Sequence, residues 1–291
     1  MKNREKTLNK IRGALYGVAI GDALGGPLEF MSAEKIRAMH GTVTDMIGGG
    51  WLNLPPGGTT DDTAMTMAVA LGIEENPKDP VPAIGRRFIK WIKSGPRDVG
   101  TTCRESIIFA KIMIESGISE KSAWACNAHN NAEGNGALMR TIYPALYYPD
   151  AKERSQKVEQ IATMTHGGKK STDICKEYAE IVHAFAFGEE PYPTTVKLSP
   201  RAKPTGYVVD TWTHAVQAFC ETGTFEEALV EAVNRGGDTD TIGSITGGLA
   251  GAWCGYHEIP ARWIDALDES LKKEMDRLAE LALKNHPEYL E

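Results

Sequence analysis

Two stretches of this chain place glycine at every fourth position, and that spacing constrains the fold more than any other feature. Gly13, Gly17, Gly21 and Gly25 form one series; Gly243, Gly247, Gly251 and Gly255 form the other. Residues four apart share one face of a helix, so each series predicts a helix with a smooth stripe along one side. Glycine inside a helix costs roughly 1 kcal/mol relative to alanine. The stripe is worth keeping only where a second backbone approaches, at the short end of the roughly 8–10 Å range of helix separations. The alternative, that so much glycine marks loops, fits the four-residue spacing less well. Ala64, Ala68 and Gly72 repeat the rule more briefly. The expectation is a tight central cluster of these helices.

Helical patterns recur over residues 7–25, 60–74, 81–94, 101–116, 154–166, 171–187, 206–221, 225–234, 240–255 and 261–284. Alternating β-branched runs are short, and no Asn-Gly hairpin joins two of them. Gly, Pro and Asn concentrate over 26–59, 120–137 and 188–205, which read as loops. No shift in composition marks a boundary and no fixed-period repeat is present. The 291 residues therefore read as one compact all-α domain, 1–291.

Charge and cysteine usage exclude several classes. A net charge of −7 with no basic stripe argues against a nucleic-acid partner. Short basic pairs such as Lys169-Lys170 read as a solvated patch. Cys103, Cys126, Cys175, Cys220 and Cys254 are widely spaced, odd in number and never C-x-x-C. They fit buried free thiols in a reducing compartment better than disulfides or a zinc site. The opening "MKNREKTLNKIRGALYG" lacks the apolar core and cleavage site of a signal peptide. The longest uncharged run, residues 241–257, is short for a membrane span and thick with glycine. A cytoplasmic protein without a transmembrane segment is expected.

Chemistry concentrates at two predicted helix starts. "GGTTDDTAMTMAVALG" (Gly57 to Gly72) and "NRGGDTDTIGSITGGLAG" (Asn234 to Gly251) share a grammar of paired glycines, acids mixed with threonines, then small apolar residues. One oxygen-bearing residue suffices for an N-cap, so double capping is the structural alternative for each. If the helices pack closely, Asp61, Asp62, Asp238 and Asp240 converge. Two like charges 4 Å apart repel by about 4 kcal/mol at an effective dielectric of 20, and a cation would relieve four of them. Carboxylate and hydroxyl oxygens, with no nearby Cys or paired His, suit Mg²⁺ or Mn²⁺ rather than zinc or copper. Four aspartates plus one further carboxylate balance two divalent ions to within about one charge, and two metals suit hydrolysis.

At this point the residues carry a resemblance. "GALYGVAIGDALGGPLEF", "TTDDTAM", "GNGALMR", "MTHGG" and "GGDTDTIGSITGGLAGAWCG" resemble the ADP-ribosylglycohydrolase family, in the same order, from about Ile11 to about Trp263. "GGGWLNLPPGGTTDDT", "SGPRDVGTTCRES" and "GYVVDT" are similar to the branch that removes ADP-ribose from an arginine of nitrogenase iron protein (dinitrogenase reductase). The resemblance implies an orthogonal all-α domain with a binuclear Mn²⁺ or Mg²⁺ centre. It implies Thr60, Asp61, Asp62, Asp238, Asp240 and Thr241 as ligands, with Glu29 of "GPLEF" beside the metals.

The resemblance further implies Asp98 near the scissile bond, where a carboxylate can pair with guanidinium and assist its departure; the other reading of Asp98 is a helix cap. Gly134, Asn135 and Gly136 are implied as a diphosphate loop, where bare backbone can donate N–H groups to anionic oxygens, though "GNG" alone is merely a turn. His166 and Tyr207 are implied as pocket residues, and each is equally a structural side chain. Thr101 joins them in the substrate-binding set. "HNNAEGNG" lacks the aromatic that several relatives place before this loop, which leaves His129 as the adenine candidate.

The implied activity is metal-assisted hydrolysis of the bond between ADP-ribose and arginine, with Glu29 or Asp61 helping to deprotonate water. Implied partners are an ADP-ribosylated protein, a PII signalling protein and the ammonium channel, with reversible peripheral membrane association. A monomer is expected. Other readings are hydrolysis of serine-linked ADP-ribose or of O-acetyl-ADP-ribose, and a non-catalytic ADP-ribose binder. Isoprenoid synthases fit worse, because Met65 stands where a D-D-x-x-D motif needs its last aspartate.

Overall fold

The computed structural model describes residues 2–188 and 203–290. The first helices are α1 (Lys2–Gly25), α2 (Ala33–His40), α3 (Asp61–Glu75), α4 (Pro80–Lys93), α5 (Thr101–Glu115) and α6 (Glu120–Ala125). Next come α7 (Ile142–Tyr147), α8 (Ala151–Ala162), α9 (Lys169–Phe187), α10 (Val208–Cys220) and α11 (Phe225–Val233). The last are α12 (Thr239–Cys254), α13 (Ala261–Ala266) and α14 (Glu269–Lys284). Three isolated β-bridges and no β-strand are found among the described residues. The fold is all-α.

The two glycine series face each other across an antiparallel pair. Gly13 lies against Gly251, Gly17 against Gly247 and Gly21 against Gly243, while Gly25 meets Thr239. A Cβ built on Gly17 would stand 1.9 Å from the Gly247 carbonyl oxygen, and one on Gly247 would stand 2.0 Å from that of Gly17. Backbone touches backbone along the whole seam. Gly255 serves differently, ending α12 at φ +90 in a conformation that L side chains avoid. The third stripe departs from expectation. A Cβ on Gly72 would lie 2.4 Å from Ile84 Cγ1, so this stripe serves the α3–α4 pair rather than a three-helix cluster.

Elsewhere the helices depart from the sequence reading where capping chemistry intervenes. The loop expected over 26–59 contains α2, started by Ser32 Oγ, which accepts from the Lys35 N–H at 3.2 Å. The loop expected over 120–137 contains α6 and a 3₁₀ turn at Cys126–His129. Helix α7 has no counterpart in the sequence pattern. The single helix expected over 261–284 is two, because Asp268 Oδ1 accepts from the N–H groups of Ser270 (2.9 Å) and Leu271 (3.1 Å) and begins α14 afresh. Most of the loop expected at 188–205 lies outside the described residues. One large cluster of buried apolar side chains takes at least one residue from every helix, from Ile11 of α1 to Leu283 of α14. None of the five cysteines forms a disulfide; Cys103 and Cys175 are buried, but Cys126 and Cys220 are exposed, against the expectation of burial. No helix among the described residues is long and apolar enough to cross a membrane.

Candidate active site

The glycine seam fixes where the acidic segments go. Because α1 and α12 run antiparallel in register, the start of α12 arrives at the end of α1, where Thr239 Oγ1 donates to the Gly25 carbonyl at 2.8 Å. The start of α3 reaches the same place through Asp22, which is fully buried in α1. Its carboxylate accepts from the N–H groups of Thr60 (2.9 Å) and Thr63 (3.0 Å) and from Thr63 Oγ1 (2.5 Å). Asp22 thus caps α3 from another helix, and the double-capping reading of Asp61 and Asp62 fails. Beyond α1 the chain turns at Gly26–Leu28, and Phe30 takes the left-handed conformation at φ +63, an outlier for so bulky a residue. Phe30 N–H donates to the Gly237 carbonyl at 2.8 Å and Gly237 N–H to that of Met31 at 2.7 Å, clipping Glu29 beside Asp238.

Carboxylates of the two helix starts act here on one another's charge and on those of Glu29 and Asp98. Oxygens of Glu29, Asp98 and Asp240 lie within 4.8 Å of one another. Thr241 Oγ1 donates to Asp62 Oδ2 at 3.3 Å, linking the two helix starts. Trp51 Nε1 donates to Glu29 Oε2 (2.7 Å), Asn135 Nδ2 to Asp238 Oδ2 (2.6 Å) and Gly100 N–H to Asp61 Oδ2 (3.2 Å). Thr60 Oγ1, Asp62 Oδ1 and Asp98 Oδ2 are buried and make no hydrogen bond. The Ser244 hydroxyl lies near Asp62, the Thr60 hydroxyl near Asp22 and the Asp61 carboxyl near Asp98, each close enough to act on its neighbour's charge. Ser244 Oγ, Thr60 Oγ1 and Asp98 Oδ2 nevertheless stay outside hydrogen-bonding geometry.

Burial, reinforced by neighbouring like charges, raises these carboxyl groups. Glu29 is pushed up to about 8, Asp61 to about 7 and Asp98 to about 6, while Asp62 and Asp240 stand well above the usual range. Orphaned buried oxygens among mutually repelling carboxylates are what a hard divalent cation would satisfy. The donor set here, oxygen throughout, fits one.

A cavity of about 390 Å³ opens over this floor. Glu29, Asp61, Asp98, Thr101, Gly134, Asn135, Gly136, His166, Asp238 and Thr241 all line it. Thr60, Asp62 and Asp240 lie outside that lining. Asp98 does not cap α5, whose N-cap is Gly100 without a side-chain bond. A second cavity, of about 410 Å³, shares Asp61, Arg97 and Asp98 with the first and adds Trp91, Leu52 and Pro55. Tyr207 is not on the wall of either: its hydroxyl accepts from Lys170 Nζ at 2.6 Å, and the adjacent Gly206 lines the first cavity instead. His129 is exposed and away from both cavities.

The Gly134-Asn135-Gly136 loop is shaped by what lies beneath it. A Cβ on Gly134 would stand 3.0 Å from His166 Nε2, and one on Gly136 would stand 3.0 Å from His166 Cε1 and 2.8 Å from Cys103 Sγ. Glycine lets the buried imidazole lie directly under the loop. The Asn135 N–H is already engaged by the Gly206 carbonyl at 3.0 Å. The N–H groups of Gly134 and Gly136 have no partner among the described residues.

The family model for ADP-ribosylglycohydrolase matches residues 3–199 and 189–289. The chain belongs to the ADP-ribosylglycohydrolase family. Its relatives include the ADP-ribosyl-[dinitrogen reductase] glycohydrolase of Rhodospirillum rubrum, 34% identical over 93% of this chain and 94% of that protein. The ADP-ribosylarginine hydrolase Tri1 of Serratia proteamaculans is 28% identical over 97% of this chain and 81% of its own. Among solved structures, an ADP-ribosylglycohydrolase-related protein complex superposes with a TM-score of 0.79 at 28% identity, covering 96% of this chain and 98% of that one.

Within this glycohydrolase, three positioning residues escaped the sequence reading. Asp22 stands in plain view in "AIGDALGG", an acid amid small residues on a helix meant for close packing. Trp51, of "GGGWLNLPPGG", offers no periodicity from which its bond to Glu29 could be foreseen. Arg140 ends "GNGALMR", and an arginine at the end of a loop motif reads as solvent-exposed until its complete burial is seen.

Proposed function

We propose that this glycohydrolase cleaves the N-glycosidic bond between ADP-ribose and an arginine side chain of a modified protein, using two divalent cations, Mn²⁺ or Mg²⁺. The observation that carries the reading is the floor of unpartnered oxygens, Thr60 Oγ1, Asp62 Oδ1 and Asp98 Oδ2, beneath a cavity flanked by free loop N–H groups. Thr60, Asp61, Asp62, Asp238, Asp240, Thr241 and Glu29 would hold the cations. Bound there, they supply Lewis-acid polarisation of the sugar hydroxyls and of water.

The chain's own groups do the rest. Gly134 and Gly136 N–H groups and His166 receive the diphosphate, and Thr101 stands at the cavity wall beside them. Asp98, with an unpaired oxygen, pairs with the guanidinium and holds the susceptible bond over the floor. Hydrolysis forms a C1′–O bond from water and breaks the C1′–N bond. Glu29 or Asp61 takes the water proton and gives it up to the departing guanidine, which stays paired with the Asp98 carboxylate as guanidinium.

The name of the S. proteamaculans relative favours arginine as the acceptor, and that of the R. rubrum relative favours dinitrogen reductase, the nitrogenase iron protein, as the modified target. A turnover panel of ADP-ribosyl-arginine, ADP-ribosyl-serine and O-acetyl-ADP-ribose, each with Mn²⁺ and with Mg²⁺, tests this. Preference for the arginine conjugate with either metal is the expected result. Turnover of only another conjugate, or ADP-ribose binding without turnover of any, would replace the reading.

A further inference from the structure

Behind the Gly134-Asn135-Gly136 loop lies a cation that the mechanism above does not use. Arg140 is fully buried, and among the described residues no carboxylate forms an ion pair with it. Its Nη1 donates to the Gly136 carbonyl, and its Nη2 donates to Thr165 Oγ1 at 2.7 Å and to the Ile161 carbonyl at 3.2 Å. Its Cζ lies 5.2 Å from the centroid of the Phe88 ring, and Nε has no partner. A buried charge satisfied only by neutral groups is expensive, and the groups that do satisfy it lead outward to the cavity.

Thr165 Oγ1 also lies 2.7 Å from His166 Nδ1. Guanidinium has donors only, so against Arg140 the hydroxyl must accept. Its own proton is then free to point elsewhere. The imidazole nitrogen is the strong acceptor within reach; the Cys103 sulfur nearby is a weak one. A proton given to Nδ1 leaves the ring's own proton on Nε2. That nitrogen faces Gly134 at the cavity wall and makes no hydrogen bond among the described residues.

We propose that Arg140, acting through Thr165, fixes His166 as the Nε2–H tautomer, so that a neutral imidazole presents a fixed N–H to an anionic diphosphate oxygen in the cavity. Burial and the nearby Arg140 charge push the His166 imidazolium down to about 3, which keeps the ring uncharged. Arg140 and Thr165 are positioning residues. The Thr165 backbone is held independently, its carbonyl accepting from Asn130 Nδ2 at 2.6 Å and Ser106 Oγ at 3.3 Å. Exchange of the side chain therefore leaves the turn in place.

The ligand in this proposal rests on the ADP-ribose reading; the tautomer does not. Nitrogen NMR of ¹⁵N-histidine-labelled protein without ligand should show a pyridine-like Nδ1 and a pyrrole-like Nε2 for His166. Thr165→Val should lose that signature and Thr165→Ser should keep it. Calorimetric titration with ADP-ribose should find Thr165→Val about ten-fold weaker or more, the scale of one hydrogen bond to a charged group, and Thr165→Ser close to the parent. A pyrrole-like Nδ1 in the parent, or an unaltered ring signature in Thr165→Val, overturns the proposal, as does unchanged ADP-ribose affinity beside an altered signature. Should the parent show the expected signature yet not bind ADP-ribose, the preceding functional reading fails and the tautomer assignment stands.

Discussion

The starts of α3 and α12 use the same residue types and reach the same floor by different means. At α3, the buried Asp22 takes up the N–H groups that Asp61 and Asp62 would otherwise cap. At α12 no side chain from another element among the described residues accepts from the first N–H groups of the helix. Its placement comes from the glycine seam, and its carboxylates are partly engaged: Asp240 Oδ1 accepts from the Thr241 N–H at 2.9 Å and Asp238 from Asn135. One start is oriented by hydrogen bonds, the other by backbone packing along a whole helix. Where a polar site is built at a helix start, the donors there must be satisfied from outside before the site's own oxygens are free for a ligand.

The largest effect should come from removing an oxygen that both starts share. Asp62→Ala should lower cation affinity and turnover by at least about a hundred-fold, beyond the 10–100-fold typical of changes one shell further out. The metal-free variant should melt no lower than its parent, since it loses a buried carboxyl group that costs free energy either to ionise or to keep protonated among like neighbours. Calorimetry with Mn²⁺ and thermal melting check both halves; retained turnover would remove the metal-centred account. Next in size, Gly247→Ala attacks the α12 side alone. Its Cβ would meet the Gly17 carbonyl, which has no flexible end to move aside, so destabilisation of about 3 kcal/mol is expected in chemical denaturation.

Asp22→Ala attacks the α3 side alone. Loss of the external cap should cost about 2 kcal/mol of stability and about ten-fold or more in Mn²⁺ affinity. A variant with normal affinity would mean that Asp61 and Asp62 are held by something other than this cap.

The asymmetry also explains what could be read in the sequence. The four-residue glycine spacing specifies a helix pair because only a backbone neighbour accounts for its cost, and Gly17 against Gly247 bears this out. The expected meeting of Asp61 and Asp62 with Asp238 and Asp240 rests on close helix packing, which the seam supplies for α12 alone; α3 arrives through Asp22. Asp22 was illegible for a physical reason: a trans cap leaves no pattern near the helix it caps, whereas Ser32 before α2 is local and could have been found. Arg140 and Trp51 are likewise defined by partners distant in sequence. The stripe ending at Gly72 misled because small residues state that something is close, not which helix it is.

A smaller effect separates the metal-free from the metal-loaded floor by pH. Glu29 and Asp61, with folded values near 8 and 7, hold protons in the native state that the unfolded chain has released. Native protein therefore binds more protons than unfolded protein between about pH 4 and 8, and stability falls as pH rises. Buried His166, His183 and His286, whose imidazolium forms are disfavoured by burial, act oppositely below about 6.5. The clean window is pH 6.5–8.5, where the metal-free melting temperature should drop on the order of 3 °C. Added Mn²⁺ should remove the slope. A flat metal-free profile would mean that the floor ionises freely and does not need a cation.

The smallest expected change tests the clip that brings Glu29 to the α12 side. Trp51 is half exposed, and its indole N–H favours the charged form of Glu29. Trp51→Phe keeps the ring beside Phe30 but deletes the donor. A hydrogen bond to an ionised carboxylate is worth roughly 1.5–3 kcal/mol and one between neutral groups about half that, a difference of about one pH unit. If catalysis requires ionised Glu29, the acid limb of kcat/KM in Trp51→Phe should move to higher pH by that amount, with the plateau little changed. The direction is the informative part. A limb that moves to lower pH, or not at all while the plateau collapses, would mean that Trp51 shapes the cavity mouth and that Glu29 is not the group that must be charged.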